Sequence, residues 1–384
     1  MSDLETFRAD TRAWLEANCP PEMREPVRSD KDAVWGGRDQ SMLSPAQKAW
    51  MDKMGARGWT VPDWPKEYGG GGLSPAESKI LREEMQRIRA RNPLNSFGIS
   101  MLGPALLKYG TEVQKREHLP KIARGEIRWC QGYSEPGAGS DLAGLQTSAE
   151  DKGDYYLVNG QKVWTSYADQ ADWIFCLVRT DKSVKQAGIS FVLFDMASEG
   201  VSTKPILLIS GYSPFCETFF DNVKVPKQNL VHEENKGWDV AKYLLGHERE
   251  MISGMGLGAA GGNPLVEAAK KGADTILRGQ IALFEIRAKA FNAMSEKFID
   301  DLKGGKAHPA QPSMMKYYGT ELNKSRHELM MAAGGSDALE WESERSNKGS
   351  GPRAWLRTKA NSIEGGTSEV QLNIISKRIL ELPS

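Results

Sequence analysis

Between Ile127 and Pro226 the sequence changes texture, and that switch limits the folds open to the chain more than any other feature. Runs at Tyr155–Val158, Lys162–Trp164, Trp173–Arg179, Ile189–Asp195 and Thr218–Val225 are rich in β-branched and aromatic residues at short spacing. Such runs read as strands of a small β-barrel or sandwich. Asn159-Gly160 separates the first two and supplies positive φ at both turn positions, so a hairpin is predicted there. On either side the apolar residues recur at helical spacing. Leu4 to Cys19, Gln47 to Arg57, Ser74 to Arg89 and Thr111 to Arg124 precede the β region; Trp238 to Leu257, Thr275 to Leu302, Ser313 to Met331 and Val370 to Leu382 follow it. The expectation is an α+β chain with an all-helical N-terminal domain (1–125), a middle β domain (126–232) and a C-terminal helical bundle (233–384). At 384 residues the chain exceeds the roughly 250 to 300 at which single cores stop growing.

Fifty basic and fifty acidic residues cancel, which removes the electrostatic case for nucleic acid or an anionic membrane surface. No stretch approaches the ~20 apolar residues of a membrane span. The opening Met1-Ser2-Asp3-Leu4-Glu5 is acidic and unlike a leader, so a cytoplasmic protein is expected. Cys19, Cys130, Cys176 and Cys216 are far apart and read as reduced thiols, while His118, His232, His308 and His327 lack metal-ligand spacing. No metal is expected. Ser343 to Gly351 is polar and reads as an exposed loop.

At the entry to the β region lies Gln131-Gly132-Tyr133-Ser134-Glu135-Pro136-Gly137-Ala138-Gly139-Ser140-Asp141-Leu142-Ala143-Gly144. Its glycines and proline exclude a helix or a central strand, so it must be a shaped loop. Successive N–H groups in such a loop can form a concavity for phosphate or carbonyl oxygens, and the same residues also suit an ordinary surface turn. A second glycine turn, Gly365-Gly366-Thr367-Ser368-Glu369, precedes an apolar-periodic helix. With Thr367 as cap it offers free N–H groups and a positive dipole end. A plain helix cap is the alternative.

The segment Tyr133 to Leu142, together with Asn159-Gly160-Gln161-Lys162-Val163-Trp164-Thr165-Ser166 and Ile363-Glu364-Gly365-Gly366-Thr367-Ser368-Glu369-Val370-Gln371, resembles the signatures of the acyl-CoA dehydrogenase flavoproteins, in the right order. Trp59 to Gly70 resembles the family too. The resemblance implies FAD bound between the β domain and the C-terminal bundle. It implies that Gln131, Tyr133 and Ser134 contact the flavin, that Gly139 and Ser140 lie by the pyrophosphate and the substrate, and that Trp164, Thr165 and Ser166 pack by the ring and reach its N5 edge. It further implies that Gly366 approaches the substrate, that Thr367 and Glu369 contact the nucleotide, and that Gly334-Gly335 forms a dinucleotide-contacting turn. A helix-terminating turn suits Gly334-Gly335 equally.

Two departures from the family pattern stand out. The position of the familiar glutamate before Gly-Thr-Ser is Gly365, and Glu364, one residue earlier, would point elsewhere. The family's second arrangement places the base in a Glu-Arg pair on a bundle helix, which implies Glu248 as base and Arg249 as adjacent active-site cation touching the substrate. Burial would raise the pKa of such a base and Arg249 would lower it, so no net shift is expected. The family's Arg-x-x-Phe-Gly segment, which reaches a neighbouring subunit's FAD, corresponds to Ala268 to Asp274 without Arg or Phe. Arg278 is a candidate replacement. This loss resembles the divergent bacterial branch, whose acyl chains are branched, dicarboxylic or steroid-derived and some of whose enzymes have two different subunits.

The implied activity is FAD-dependent α,β-desaturation of an acyl-CoA, since no side chain accepts hydride. Electron-transfer flavoprotein is the implied acceptor, in a homo- or hetero-oligomer. Two alternatives accompany it: a FAD-holding subunit whose partner carries the base, and a flavin oxidase or monooxygenase of the same fold.

Overall fold

In the computed structural model Ser44, Ser74 and Thr111 each open a helix by the same device. The hydroxyl accepts from the backbone N–H three residues on, and the Gln47, Glu77 or Gln114 side chain returns the bond. The structure describes residues 3–27, 30–254, 264–270 and 273–383, without the side chains of 30, 246–254, 264, 302 and 303. By internal contacts it divides into two units, Met1–Pro205 with Pro214–Leu244, and Ile206–Ser213 with Leu245–Ser384.

The first unit begins with helices α1 (Asp3–Asn18), α2 (Pro45–Ala56), α3 (Pro75–Arg87), α4 (Gly103–Tyr109) and α5 (Glu112–Ala123). Leu15, Trp50, Met51, Met54, Trp59 and Leu81 form the core under α1 to α3. The Trp59 to Gly70 phrase is a packed aromatic loop, with Trp59, Trp64 and Tyr68 all buried. On α5, His118 sits edge-on to Trp129 and Trp173, joining the helices to the sheet.

That sheet has eight strands: β1 (Trp129–Gly132), β2 (Ser148–Asp151), β3 (Tyr155–Ser166), β4 (Trp173–Arg179), β5 (Ile189–Asp195), β6 (Val201–Ile206), β7 (Phe215–Pro226) and β8 (Leu230–Val231). Their order is β6-β7-β3-β2-β4-β5-β8, with β1 parallel to β4. The expected Asn159-Gly160 hairpin is not there. Tyr155–Val158 and Lys162–Trp164 are one strand, β3, whose Asn159 pairs with Ser148 and whose Gly160 pairs with Phe220. The register shifts between Val158 and Gly160, and a Cβ on Gly160 would lie 2.6 Å from Thr147 Oγ1. Glycine here admits a close backbone approach at a bulge, the other reason a strand carries one. The four cysteines are free and buried.

Helix α6 (Gly237–Gly254) carries the division between the units, and α7 (Pro264–Lys270), α8 (Thr275–Lys303), α9 (Gln311–Gly334), α10 (Ser350–Thr358) and α11 (Ser368–Arg378) follow. Ile281, Phe284, Phe291 and Phe298 of α8 pack with Met315 and Leu322 of α9. α10 starts inside the stretch expected to be loop. The segment between β6 and β7 belongs by its contacts to this second unit: Arg353 of α10 donates to Ser210 O at 3.0 Å and lies over the Trp341 ring at 3.9 Å. Among the described residues no helix is long and apolar enough to cross a membrane.

Candidate functional site

β1 carries Gln131 into the glycine loop, and the loop is pinned rather than free. Glu135 N donates to Ala138 O (3.1 Å) and Ala138 N returns the bond to Glu135 O (3.0 Å), closing a tight turn. Val163 N donates to Ser134 O at 2.9 Å, fastening Ser134 to β3. Below, the buried Lys162 ammonium donates to Tyr133 O (3.1 Å) and to Glu135 Oε1 (2.8 Å). The Glu135 carboxylate also accepts from Gln146 N (2.6 Å) and Thr147 N (2.9 Å). Burial alone would raise the Glu135 carboxyl, but Lys162 and these donors outweigh it and hold it below the usual carboxylate range.

With the loop held from beneath, its tip stays accessible. Gly139 and Ser140 are exposed, and a Cβ on Gly137 or Gly139 would meet nothing within 4 Å. Trp164 stands beside it at φ 62°, 55% exposed, edge-on to Phe215. A tryptophan in the left-handed region and half in water is not a core strand aromatic, so its conformation is spent on presenting an indole face. The next residue, Thr165, is fully buried, and its hydroxyl has no hydrogen-bond partner among the described residues. Ser166 is half-buried and ends β3. The first unit therefore gathers Gln131, Tyr133, Ser134, Gly139, Ser140, Trp164, Thr165 and Ser166 around one loop and one strand end.

In the second unit Gly365 and Gly366 take φ of 63° and 89°, and Thr367 caps α11 by accepting from Val370 N at 3.2 Å. Lys316, fully buried on α9, donates to Asn361 O (3.0 Å) and Gly366 O (2.7 Å). Gln371 Nε2 donates to Gly365 O at 3.0 Å. Burial pulls the Lys316 ammonium below its ordinary pKa, against the pull of Glu364, Glu321 and Glu369. Backbone donation and Thr367 lower the Glu369 carboxyl. Glu364 is engaged in the turn itself, accepting from Arg357 Nη2 (2.8 Å) and Asn361 Nδ2 (2.6 Å).

Gly334 ends α9, and Gly335 follows at φ 55°. Ser368 at the start of α11 donates to Glu321, 13 residues before Gly334 on α9, so about 20 Å of helix separates the two glycine turns. Glu248 and Arg249 lie on α6, and their side chains lie outside the described residues. Ala268 to Lys270 lie on α7; 271 and 272 are outside the description. Asp274 Oδ1 accepts from Leu277 N, capping α8, and Arg278 is exposed. No group of three or more His, Cys, Asp or Glu suited to a metal occurs among the described residues.

Sequence reasoning missed the residues that shape both turns: Lys162 with Glu135, and Lys316 with Gln371. Their signal is a lysine at an inward position of a strand or on the apolar face of a helix, where an unpaired charge would be costly.

Profiles of the acyl-CoA dehydrogenase N-terminal, middle and C-terminal domains match residues 1–126, 130–223 and 235–380. The acyl-CoA dehydrogenase IpdE1 of Mycobacterium tuberculosis is 36% identical over 403 residues, covering 100% of this chain and 99% of that protein. Among solved structures, a steroid acyl-CoA dehydrogenase, Tcur3481-Tcur3483, superposes with a TM-score of 0.79 at 29% identity, covering 100% of this chain and 98% of that one. The ChsE4-ChsE5 complex of Mycobacterium tuberculosis gives 0.73 at 31% identity with the same coverage. The chain belongs to the acyl-CoA dehydrogenase family, whose members are oxidoreductases and flavoproteins with this three-domain fold.

Proposed function

We propose that the protein is a FAD-dependent acyl-CoA dehydrogenase that desaturates a coenzyme A thioester between its α and β carbons. The observation that carries the reading is the pairing of Trp164, exposed and left-handed, with a buried Thr165 hydroxyl that lacks a partner among the described residues. A planar ring for the indole and a polar ring edge for the hydroxyl are what a flavin would bring, so the residues present fit the group. When bound, FAD supplies the acceptor for the β hydride. Gln131, Tyr133, Ser134, Trp164, Thr165 and Ser166 would hold the flavin, and Gly139 and Ser140 would leave room for phosphate or thioester. Thr367 and Glu369 would contact the flavin nucleotide, with Gly366 nearer the substrate, and Gly334 and Gly335, about 20 Å of helix away, would contact the dinucleotide elsewhere. Glu248 takes the α proton, and Arg249 steadies the developing charge. The engagement of Glu364 with Arg357 and Asn361 supports assigning the base to Glu248 instead.

The relatives named as a steroid enzyme and as a two-component complex support a bulky, ring-bearing acyl group and assembly with a second chain. Ile276, Leu283 and Ile286 of α8, exposed by 75%, 49% and 65%, support a subunit contact. Electron-transfer flavoprotein is the partner that would take the electrons onward. Anaerobic addition of acyl-CoAs to the purified yellow protein is expected to bleach the flavin band, and Glu248→Gln to abolish the bleaching. Bleaching that survives Glu248→Gln removes Glu248 as base, and a chain that holds flavin only with a partner assigns it the subunit role.

A further inference from the structure

Between β8 and α6 the chain reads His232-Glu233-Glu234-Asn235-Lys236, and it turns through two residues in the left-handed region, His232 at φ 67° and Asn235 at φ 66°. Asparagine tolerates that conformation better than most residues, so Asn235 can turn the chain and still present a side-chain amide. Its backbone N donates to Ser190 Oγ (2.8 Å), Thr180 Oγ1 donates to Asn235 Oδ1 (2.6 Å), and the two hydroxyl oxygens lie 2.7 Å apart. With the Thr180 proton directed at Asn235, the Ser190 hydroxyl donates to Thr180, and the three residues close a ring. Ser190 is fully buried on β5, and Thr180 follows directly on β4. The residue before Asn235 is fastened as well, because Tyr156 of β3 donates to Glu234.

Gly237 then opens α6 so close to β5 that a Cβ would lie 2.3 Å from Ser190 C and 2.6 Å from Phe191 N. No side chain fits there. Val240, Ala241 and Leu244 continue the contact as a fully buried face. The opening turns of α6 are thus keyed to the same sheet whose β3 carries Trp164 and Thr165. Glu248 follows Leu244 on the same helix, about 6 Å of rise further on. An apolar face alone allows a helix to slide or roll by a fraction of a residue, since burial is not directional. Hydrogen bonds are directional, and the ring removes that freedom.

We infer that Asn235, acting with Thr180 and Ser190, is a positioning residue that fixes the seat of α6 on the sheet and, through the helix, the place of Glu248. The inference rests on the dehydrogenase reading and deepens it: a base must meet its proton in near-attack geometry, where a misplacement of about 1 Å can cost roughly a hundredfold.

The test uses purified holoprotein and the thioester that bleaches its flavin fastest in a panel of straight, branched and ring-bearing acyl-CoAs, supplied with hydrogen or deuterium at the α carbon. Asn235→Gly keeps the left-handed turn and removes the amide, whereas Thr180→Val keeps the shape and removes the hydroxyl. Each is expected to lower kcat roughly tenfold and to enlarge the α-deuterium isotope effect, with KM held within about twofold and flavin content unchanged. Asn235→Asp, which keeps both the turn and the acceptor, should restore most of the rate. Amide exchange read by mass spectrometry should rise across residues 237–244 in Asn235→Gly and Thr180→Val. Wild-type exchange with wild-type kcat overturns the inference, as does a lowered melting temperature with kcat intact. Equal losses in Asn235→Asp and Asn235→Gly overturn it too, because the acceptor would then be irrelevant. A wild-type flavin that no thioester bleaches overturns the dehydrogenase reading and the inference with it, and turnover that survives Glu248→Gln does the same to the base assignment; both results are read without any Asn235 variant.

Discussion

Two glycine turns, one in each unit, are both held by a buried lysine, yet the two lysines are matched differently. Lys162 meets a carboxylate, Glu135 at 2.8 Å, as well as Tyr133 O. Lys316 donates to two carbonyl oxygens, of Asn361 and Gly366, with its acidic neighbours acting only at longer range. The first turn is therefore clamped by an ion pair and the second by charge–dipole bonds, so the first should be the stiffer and the harder to repair. Accessibility fits this division: the first turn leaves its tip in open space, whereas a Cβ on Gly366 would meet Gln371 Nε2 at 2.5 Å.

The sharpest way to break the comparison is Lys162→Met. It strands the Glu135 carboxylate in the interior, and a loss of about 3–5 kcal/mol is expected in denaturant unfolding followed by tryptophan fluorescence. Adding Glu135→Gln should recover part of that loss, and a double variant no better than the single would show that the ion pair is not what holds the turn. Lys316→Met takes the ammonium from the Asn361 and Gly366 carbonyls, the second of which keeps Gln371 Nε2 at 3.3 Å, but also removes a desolvated charge, so about 1–3 kcal/mol is expected. A loss equal to that of Lys162→Met would erase the difference between the turns. Gly366→Ala forces a side chain into φ 89°, at an expected cost of about 1–2 kcal/mol.

The pH dependence sharpens the contrast with smaller effects. Glu135 is depressed in the folded state, so its contribution is complete above the unfolded carboxylate value of 4.5 and is lost as pH falls through its folded value. Lys316 is depressed too, but as a base: the unfolded chain holds its proton more tightly, so stability rises as pH climbs through the folded value toward 10.5. Melting temperatures from acid to alkaline pH should show the acid limb flattened in the Lys162→Met, Glu135→Gln double variant and the alkaline rise missing in Lys316→Met. Smallest of all, Gly137→Ala faces open space and should stay within about 0.5 kcal/mol.

The fold was legible because texture follows burial: helical periodicity on both sides and β-branched runs between them give the three-part order directly. Asn159-Gly160 misled because one dipeptide serves two ends. Its turn chemistry is local, whereas the close approach to Thr147 is a tertiary fact. α10 was hidden for a related reason, since its first turn, at Ser350 and Gly351, carries the polar composition of the loop before it. At the candidate site the exposed residues could be proposed from motif resemblance, but Lys162 and Lys316 could not, because a lysine in sequence reads as solvent-facing until its partners are placed. Glu248 and Arg249 rest on the sequence argument.

The segment between β6 and β7 has a consequence for biosynthesis. Its Ser210 carbonyl is claimed by Arg353, 143 positions later. On the ribosome those eight residues emerge with the sheet, yet their destination has not been translated. They must wait, tethered between two finished strands, until nearly the whole chain is made, so in a nascent chain released early the Ser210 carbonyl would lack the Arg353 guanidinium that holds it.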